Sequence, residues 1–341
     1  MTIEPGVISA EMVAVHERAA AELGPLPDAT LLPPAAGRAL SERVNERWNR
    51  DLPEMAGKSA TLVPADPGLG SADCPLTILS PPQAAGGTIL YVHGGGFAFG
   101  SSRSHERTAR VLASEAGMDI VLPDYRLAPE DPFPAGLRDV VACLRALIAG
   151  AVRGLGQGPV LVAGDSAGAN LALAAMLHEH AQGRPLPAGA LLFYGNYAAD
   201  LTGDSYRRFA EGPGLTTARM ARYWAWYAAG REIAREPLAC PLAASDAALA
   251  ALPPLHLMAA GVDPLLSDSI ALQARLAGLG RPETLDIVPG VTHGFLQATR
   301  ELAAAREALA AAGAAARTII KNLETASREE AHHGMVDNIR R

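Results

Sequence analysis

What most constrains the fold of this chain is a rhythm. Short β-prone runs, GTILYVHG, MDIVLPDYR, PVLVAGDS, AGALLFYG, PPLHLMAAG and ETLDIVPG, recur between residues 87 and 290, and helical stretches lie near 104–116, 134–150, 168–181 and 267–279. Parallel strands need long crossovers, usually helices, so the alternation predicts an α/β protein with a mostly parallel central sheet flanked by helices. Two regions break the rhythm. Residues 1–58 read as polar helices with Pro-rich joints at Pro33, Pro34 and Pro53, and residues 200–237 read as loop plus helix. Both are expected outside the sheet as a helical cap, the first as its N-terminal part and the second as an insertion in a core spanning 59–323. A terminal helix is expected over 298–323, and residues 324–341 read as a polar tail with a frayed end.

Composition narrows the function. The 341 residues are 49% hydrophobic, enough for a large core, and the net charge of −7 with scattered Lys and Arg gives no footprint for nucleic acid. Cys74, Cys143 and Cys240 are too far apart for a C-x-x-C site and suit a reducing compartment, so the protein is read as cytoplasmic with no metal. His332 and His333 have no third ligand nearby and read as solvated. Acids interrupt every apolar run in the first 30 residues, and no run of 18 apolar residues occurs, so neither a signal peptide nor a membrane partner is expected.

Gly164-Asp165-Ser166-Ala167-Gly168 matches G-x-S-x-G, and it stands where a strand-like run gives way to a helical one. A serine on so sharp a turn needs neighbours without side chains two positions away on each side. The corner would present Ser166 Oγ to a substrate. A hydroxyl is a weak nucleophile, so a base and a group that orients the base are required. Of the histidines after Ser166, His178 and His180 fall on the following helix and His256 lies in an apolar strand, whereas His293 follows the last strand in a Gly-flanked loop. For the acid, Asp263 ends a strand before Pro264, at the carboxyl edge of the sheet; Asp268 competes, but in the first turn of the next helix the helix dipole explains it.

The run HGGGF follows the strand-like Thr88 to Val92. Gly94, Gly95 and Gly96 can turn amides toward an anion, and with the amide of Ala167 they suit an oxyanion hole. A dinucleotide loop is ruled out by Phe99, which stands where G-x-G-x-x-G needs its third glycine. His93 is expected to fix the loop by hydrogen bonding, with Asp165 as a supporting neighbour. The aromatics from Tyr206 to Tyr227 suit either a packed helix or an apolar pocket wall, and Phe97, Tyr206, Trp224 and Trp226 are the candidate pocket residues.

Together HGGGF at 93–97, DYRLAPE at 124–130, PFPA at 132–135, GDSAG at 164–168, DPL at 263–265 and HGF at 293–295 resemble the hormone-sensitive-lipase-like branch of the α/β-hydrolases, the bacterial carboxylesterases and acetyl esterases. The resemblance implies an α/β-hydrolase fold with a helical cap and a catalytic triad of Ser166, Asp263 and His293. It also implies an oxyanion hole from Gly95, Gly96 and Ala167, and no cofactor. Gly195-Asn196-Tyr197 replaces a common proline, and Ser267 replaces a common acid, which leaves pocket shape open. The leading expectation is a serine carboxylesterase that hydrolyses short- to medium-chain acyl esters through an acyl-enzyme, its partner a small-molecule ester and a homodimer its candidate assembly. The alternatives are a deacetylase or amidase of an acylated specialised metabolite, a large-lipid lipase, and a catalytically inactive ligand-binding homologue.

Overall fold

A computed structural model describes residues 6–339, with side chains as far as residue 325. The chain begins with α1 (Ala10–Leu23), a 3₁₀ turn at Ala29–Leu31 and α2 (Pro34–Asn45), then enters β1 (Gly57–Val63), β2 (Cys74–Ser80) and β3 (Thr88–Val92). There follow α3 (Glu106–Ala116), β4 (Asp119–Pro123), α4 (Ala135–Ile148), β5 (Val160–Asp165), α5 (Ala167–Ala181) and β6 (Gly189–Phe193). After the short α6 (Asp204–Arg208) come α7 (Thr217–Ala228), α8 (Asp246–Ala250), β7 (Leu255–Val262), α9 (Leu266–Gly278), β8 (Leu285–Thr292) and α10 (Ala303–Ile339).

The eight strands form one sheet in the order β1-β2-β4-β3-β5-β6-β7-β8. From β4 to β8 every pairing is parallel, while β1 and β2 pair antiparallel with each other and β2 pairs antiparallel with β4. All five residues of β3 are buried, and its period of two sends Leu90 and Val92 into one core layer and Ile89 and Tyr91 into the other. The Leu90 layer packs under α4, α5 and α9, and the Ile89 layer under α1, α3 and α10.

Each of the β-prone runs is a strand, and each helical stretch between them is a helix. The β1–β2 pair escaped the sequence reading because β1, GKSATLV, is an edge strand with mostly exposed residues and carries no buried-strand pattern. Within residues 1–58, α1 packs on the sheet through Met12 and Val15, with Ser9 N bonded to Gly290 O. The 3₁₀ turn, on which α2 packs, instead meets α7: Asp28 pairs with Arg222 at 2.5 Å and Arg219 at 3.2 Å, and Arg222 Nε donates to Thr30 Oγ1 at 2.6 Å. At the other end α10 continues in backbone to Ile339, through the segment read as a frayed tail. His332 and His333 lie beyond the described side chains. No helix among the described residues is long and apolar enough to cross a membrane.

Candidate active site

The turn between β5 and α5 forces Ser166 to φ 54°, ψ −121°, a region that non-glycine residues rarely occupy. Such strain persists only where the surroundings fix it. Ser166 N donates to Phe193 O at 2.9 Å, and a Cβ on Gly168 would collide with the Val92 carbonyl oxygen, so α5 packs against β3 only with glycine there. The serine is buried from bulk water but opens on a cavity of about 190 Å³.

His293, just past β8, reaches both other candidates. Its Nε2 lies 2.9 Å from Ser166 Oγ and its Nδ1 lies 2.7 Å from Asp263 Oδ2. Asp263 is fully buried, and its Oδ1 accepts from Leu265 N at 2.9 Å. With Nδ1–H given to the carboxylate, Nε2 is left as acceptor for the serine proton, the arrangement that activates a hydroxyl. Asp268 points elsewhere: its Oδ2 accepts from Tyr197 N at 2.7 Å and Ala198 N at 3.1 Å, and burial pushes its carboxyl up to about 7. His178 pairs with Glu179 on α5, and His256 stays within β7.

The glycine loop lies against the elbow. Gly95 and Gly96 have φ of 125° and 60°. Their amides, with no acceptor among the described residues, suit a developing oxyanion. Gly94 N donates to Asp165 Oδ1 at 2.9 Å, which pins the loop to the residue before the serine. His93 holds the loop from behind: its Nδ1 lies 2.9 Å from Gly94 O and its ring stacks on Tyr125 at 4.4 Å. Burial, with His105 beside it, lowers the His93 pKa to about 4, so it stays neutral near pH 7. Ala167 opens α5, its amide at the helix N-terminus.

The four expected pocket aromatics do not line this cavity. Phe97 stacks on Tyr227 at 3.8 Å and meets Trp224 at 5.3 Å, Tyr206 is a buried residue of α6, and Trp226 contacts the Phe99 ring at 5.9 Å. The lining instead includes the apolar Phe99, Leu215, Met220 and Tyr223 and the polar Ser41, Asn45, His105 and Gln297. The sequence located the aromatic helix but not which face of it meets the cavity, because both faces carry aromatics. His105 and Gln297 carry no motif and were missed. Among the described residues no group of three or more His, Cys, Asp or Glu side chains is placed to hold a metal.

The model of the alpha/beta hydrolase fold family matches residues 89–297. An acetyl-hydrolase of Streptomyces hygroscopicus is 35% identical over 247 residues, covering 72% of this chain and 80% of its own length. The carboxylesterase NlhH of Mycobacterium tuberculosis is 36% identical over 245 residues, covering 70% and 76%. Among solved structures, an ester hydrolase from the metagenome of Lake Arreo superposes with a TM-score of 0.84 at 31% identity, covering 92% of this chain and 99% of that one. An esterase from the bacterial hormone-sensitive lipase family gives 0.78 at 29% identity, with coverage of 92% and 99%. Strand order, elbow and relatives agree: the chain belongs to the α/β-hydrolase family, among the esterases of its hormone-sensitive-lipase-like branch.

Proposed function

We propose that the protein is a serine carboxylesterase that cleaves short- to medium-chain acyl esters through an acyl-enzyme. The observation that carries this reading is the His293 imidazole bridging Ser166 Oγ at 2.9 Å and Asp263 at 2.7 Å. Ser166 Oγ attacks the ester carbonyl carbon while its proton passes to His293 Nε2, and Asp263 holds the imidazolium that forms. The carbonyl oxygen, now negative, is received by the amides of Gly95, Gly96 and Ala167. Collapse breaks the bond to the alcohol, which leaves with the proton from His293. Water then repeats the cycle on the acyl-serine and releases the acid. A dry cavity of about 150 Å³ takes a benzene, so about 190 Å³ suits a small acyl group with part of its alcohol.

Replacement of Ser166 by Ala tests the reading. Hydrolysis of p-nitrophenyl acetate should vanish with little change in melting temperature, and a phosphonate reagent should modify Ser166 in the unaltered chain. Turnover near that of the unaltered chain, or labelling of another residue, overturns the nucleophile assignment. A second reading, deacetylation of a specialised metabolite, is supported by the likeness to the Streptomyces hygroscopicus acetyl-hydrolase and by the small cavity. Matched ester and anilide substrates separate the two.

A further inference from the structure

His105 is a second imidazole in the active cavity, and the reaction above makes no use of it. It stands before α3 and is 4% exposed. Its Nε2 faces Asp165 Oδ1 at 3.5 Å. Asp165, immediately before the nucleophile, is 3% exposed, and the same oxygen accepts from Tyr91 OH at 3.0 Å and Gly94 N at 2.9 Å. A Cβ on Gly94 would lie 2.5 Å from the other carboxylate oxygen, so the carboxylate is wedged between the glycine loop and His105. A buried carboxylate requires a compensating charge or neutralises. Tyr91 and Gly94 are neutral donors, and His105 is the cationic partner Asp165 has among the described residues.

The surroundings of His105 favour its proton. Asp165 faces it from β5 and Glu42 acts on it from α2, while Tyr91 from β3 and the neutral His93 from the glycine loop lie at ring distances of 6.4 and 5.5 Å. Burial is the largest single influence and would lower its pKa, but Asp165, the Ser101 backbone and Glu42 together outweigh it and the pKa is raised. Nδ1 lies 2.9 Å from Ser104 Oγ, and Nε2 lies 3.2 Å from Gln297 Nε2, while Gln297 Oε1 is buried without a partner. An imidazolium has no lone pair to accept with, so it requires the Gln297 amide turned over, which gives Nε2–H an acceptor and the buried Oε1 a donor.

We propose that His105, as an imidazolium, is a positioning residue for ester cleavage: it holds the Asp165 carboxylate against Gly94, and so aims the Gly95 and Gly96 amides at the forming oxyanion. The proposal rests on the esterase reading given above. Its charge is present at low pH and is lost as pH rises through the raised pKa. Asp165 is then buried without a counter-charge, the loop relaxes, and kcat falls. The alkaline limb of the kcat profile therefore belongs to His105.

The test uses the full chain, His105→Gln and His105→Arg, with p-nitrophenyl acetate from pH 6 to 10. Expected for His105→Gln is a kcat about 10- to 100-fold lower, less than the 10² to 10³ typical of losing an oxyanion donor outright, with KM within about twofold and no alkaline limb. His105→Arg keeps the charge and should recover most of kcat, also without the limb. A His105→Gln variant with undiminished kcat, or one that keeps the limb, overturns the proposal. If neither variant melts cooperatively, the imidazole nitrogen resonances of the unaltered chain decide: a neutral His105 at pH 7 overturns it and a charged one supports it. Failure of the esterase reading is seen separately, as phosphonate labelling away from Ser166.

Discussion

Tyr223 on α7 and Gly96 on the glycine loop are in direct apposition: a Cβ on Gly96 would lie inside contact distance of the Tyr223 ring carbons. The loop therefore cannot gain even a methyl group without moving the cap. Gly96→Ala should lower kcat/KM by about 10² or more, the scale of a lost oxyanion donor. Adding Tyr223→Ala should recover only part of it, since φ 60° still strains an alanine by about 1 kcal/mol. Full recovery in the double variant, read by steady-state kinetics, would mean that collision alone sets the requirement for glycine.

The two faces of α7 should separate in their effects. Tyr223→Ala opens the cavity wall, so the ranking of esters from acetate to octanoate should shift toward longer chains, at about 0.8 kcal/mol per additional buried CH₂. Trp224, packed on Phe97 and Tyr227 away from the cavity, should instead cost about 3 to 5 kcal/mol of stability when truncated to Ala, with the ranking unchanged. Chain-length series and melting curves on both variants check this.

Asp268 predicts a pH dependence of stability. Burial raises its carboxyl to about 7 in the folded chain, against about 4 for an exposed Asp. Between those values the folded state binds the proton and the unfolded state does not. The contribution is therefore full below about pH 4 and is lost as pH rises toward 7, by at most about 4 kcal/mol. Asp268→Asn keeps an acceptor for the Tyr197 and Ala198 amides and does not titrate. Its melting temperature should gain on that of the unaltered chain between pH 5 and 8. Parallel curves would show that Asp268 is ionised throughout.

The Asp28 pairs with Arg219 and Arg222 tie the two cap segments together. Asp28→Ala should cost only about 1 kcal/mol or less by way of its partly exposed ion pairs. KM should nevertheless rise, because Ala29, Leu215 and Tyr223 line the cavity on both sides of this tie. Added salt should raise KM of the unaltered chain in the same direction and leave the variant unmoved.

The sheet was legible because buried parallel strands are continuous apolar runs, as in LVAGDS, whose end carries Ser166. Asp263 was legible because it follows such a run, and His293 because it follows the last strand in a Gly-flanked loop, where side chains gather at the carboxyl edge. What was hidden depends on contacts that no local pattern records. The edge strand β1 is polar because water covers it. Trp224 and Tyr223 are adjacent in sequence, yet the helix turns one to the core and the other to the cavity. His105 gains its environment from Asp165, sixty residues further along the chain.

The tie between Asp28 and Arg222 spans 194 positions of sequence, with β1 to β6 lying between. A chain made from its N-terminus presents Asp28 and its 3₁₀ turn long before α7 exists. The central strands are therefore made, and the elbow is shaped around Ser166, while half of the cap still lacks its other half. Asp263 and His293 follow α7 in the chain, so both halves of the cap are made before the acid and base of the proposed triad exist: the part that selects substrate precedes the part that completes cleavage.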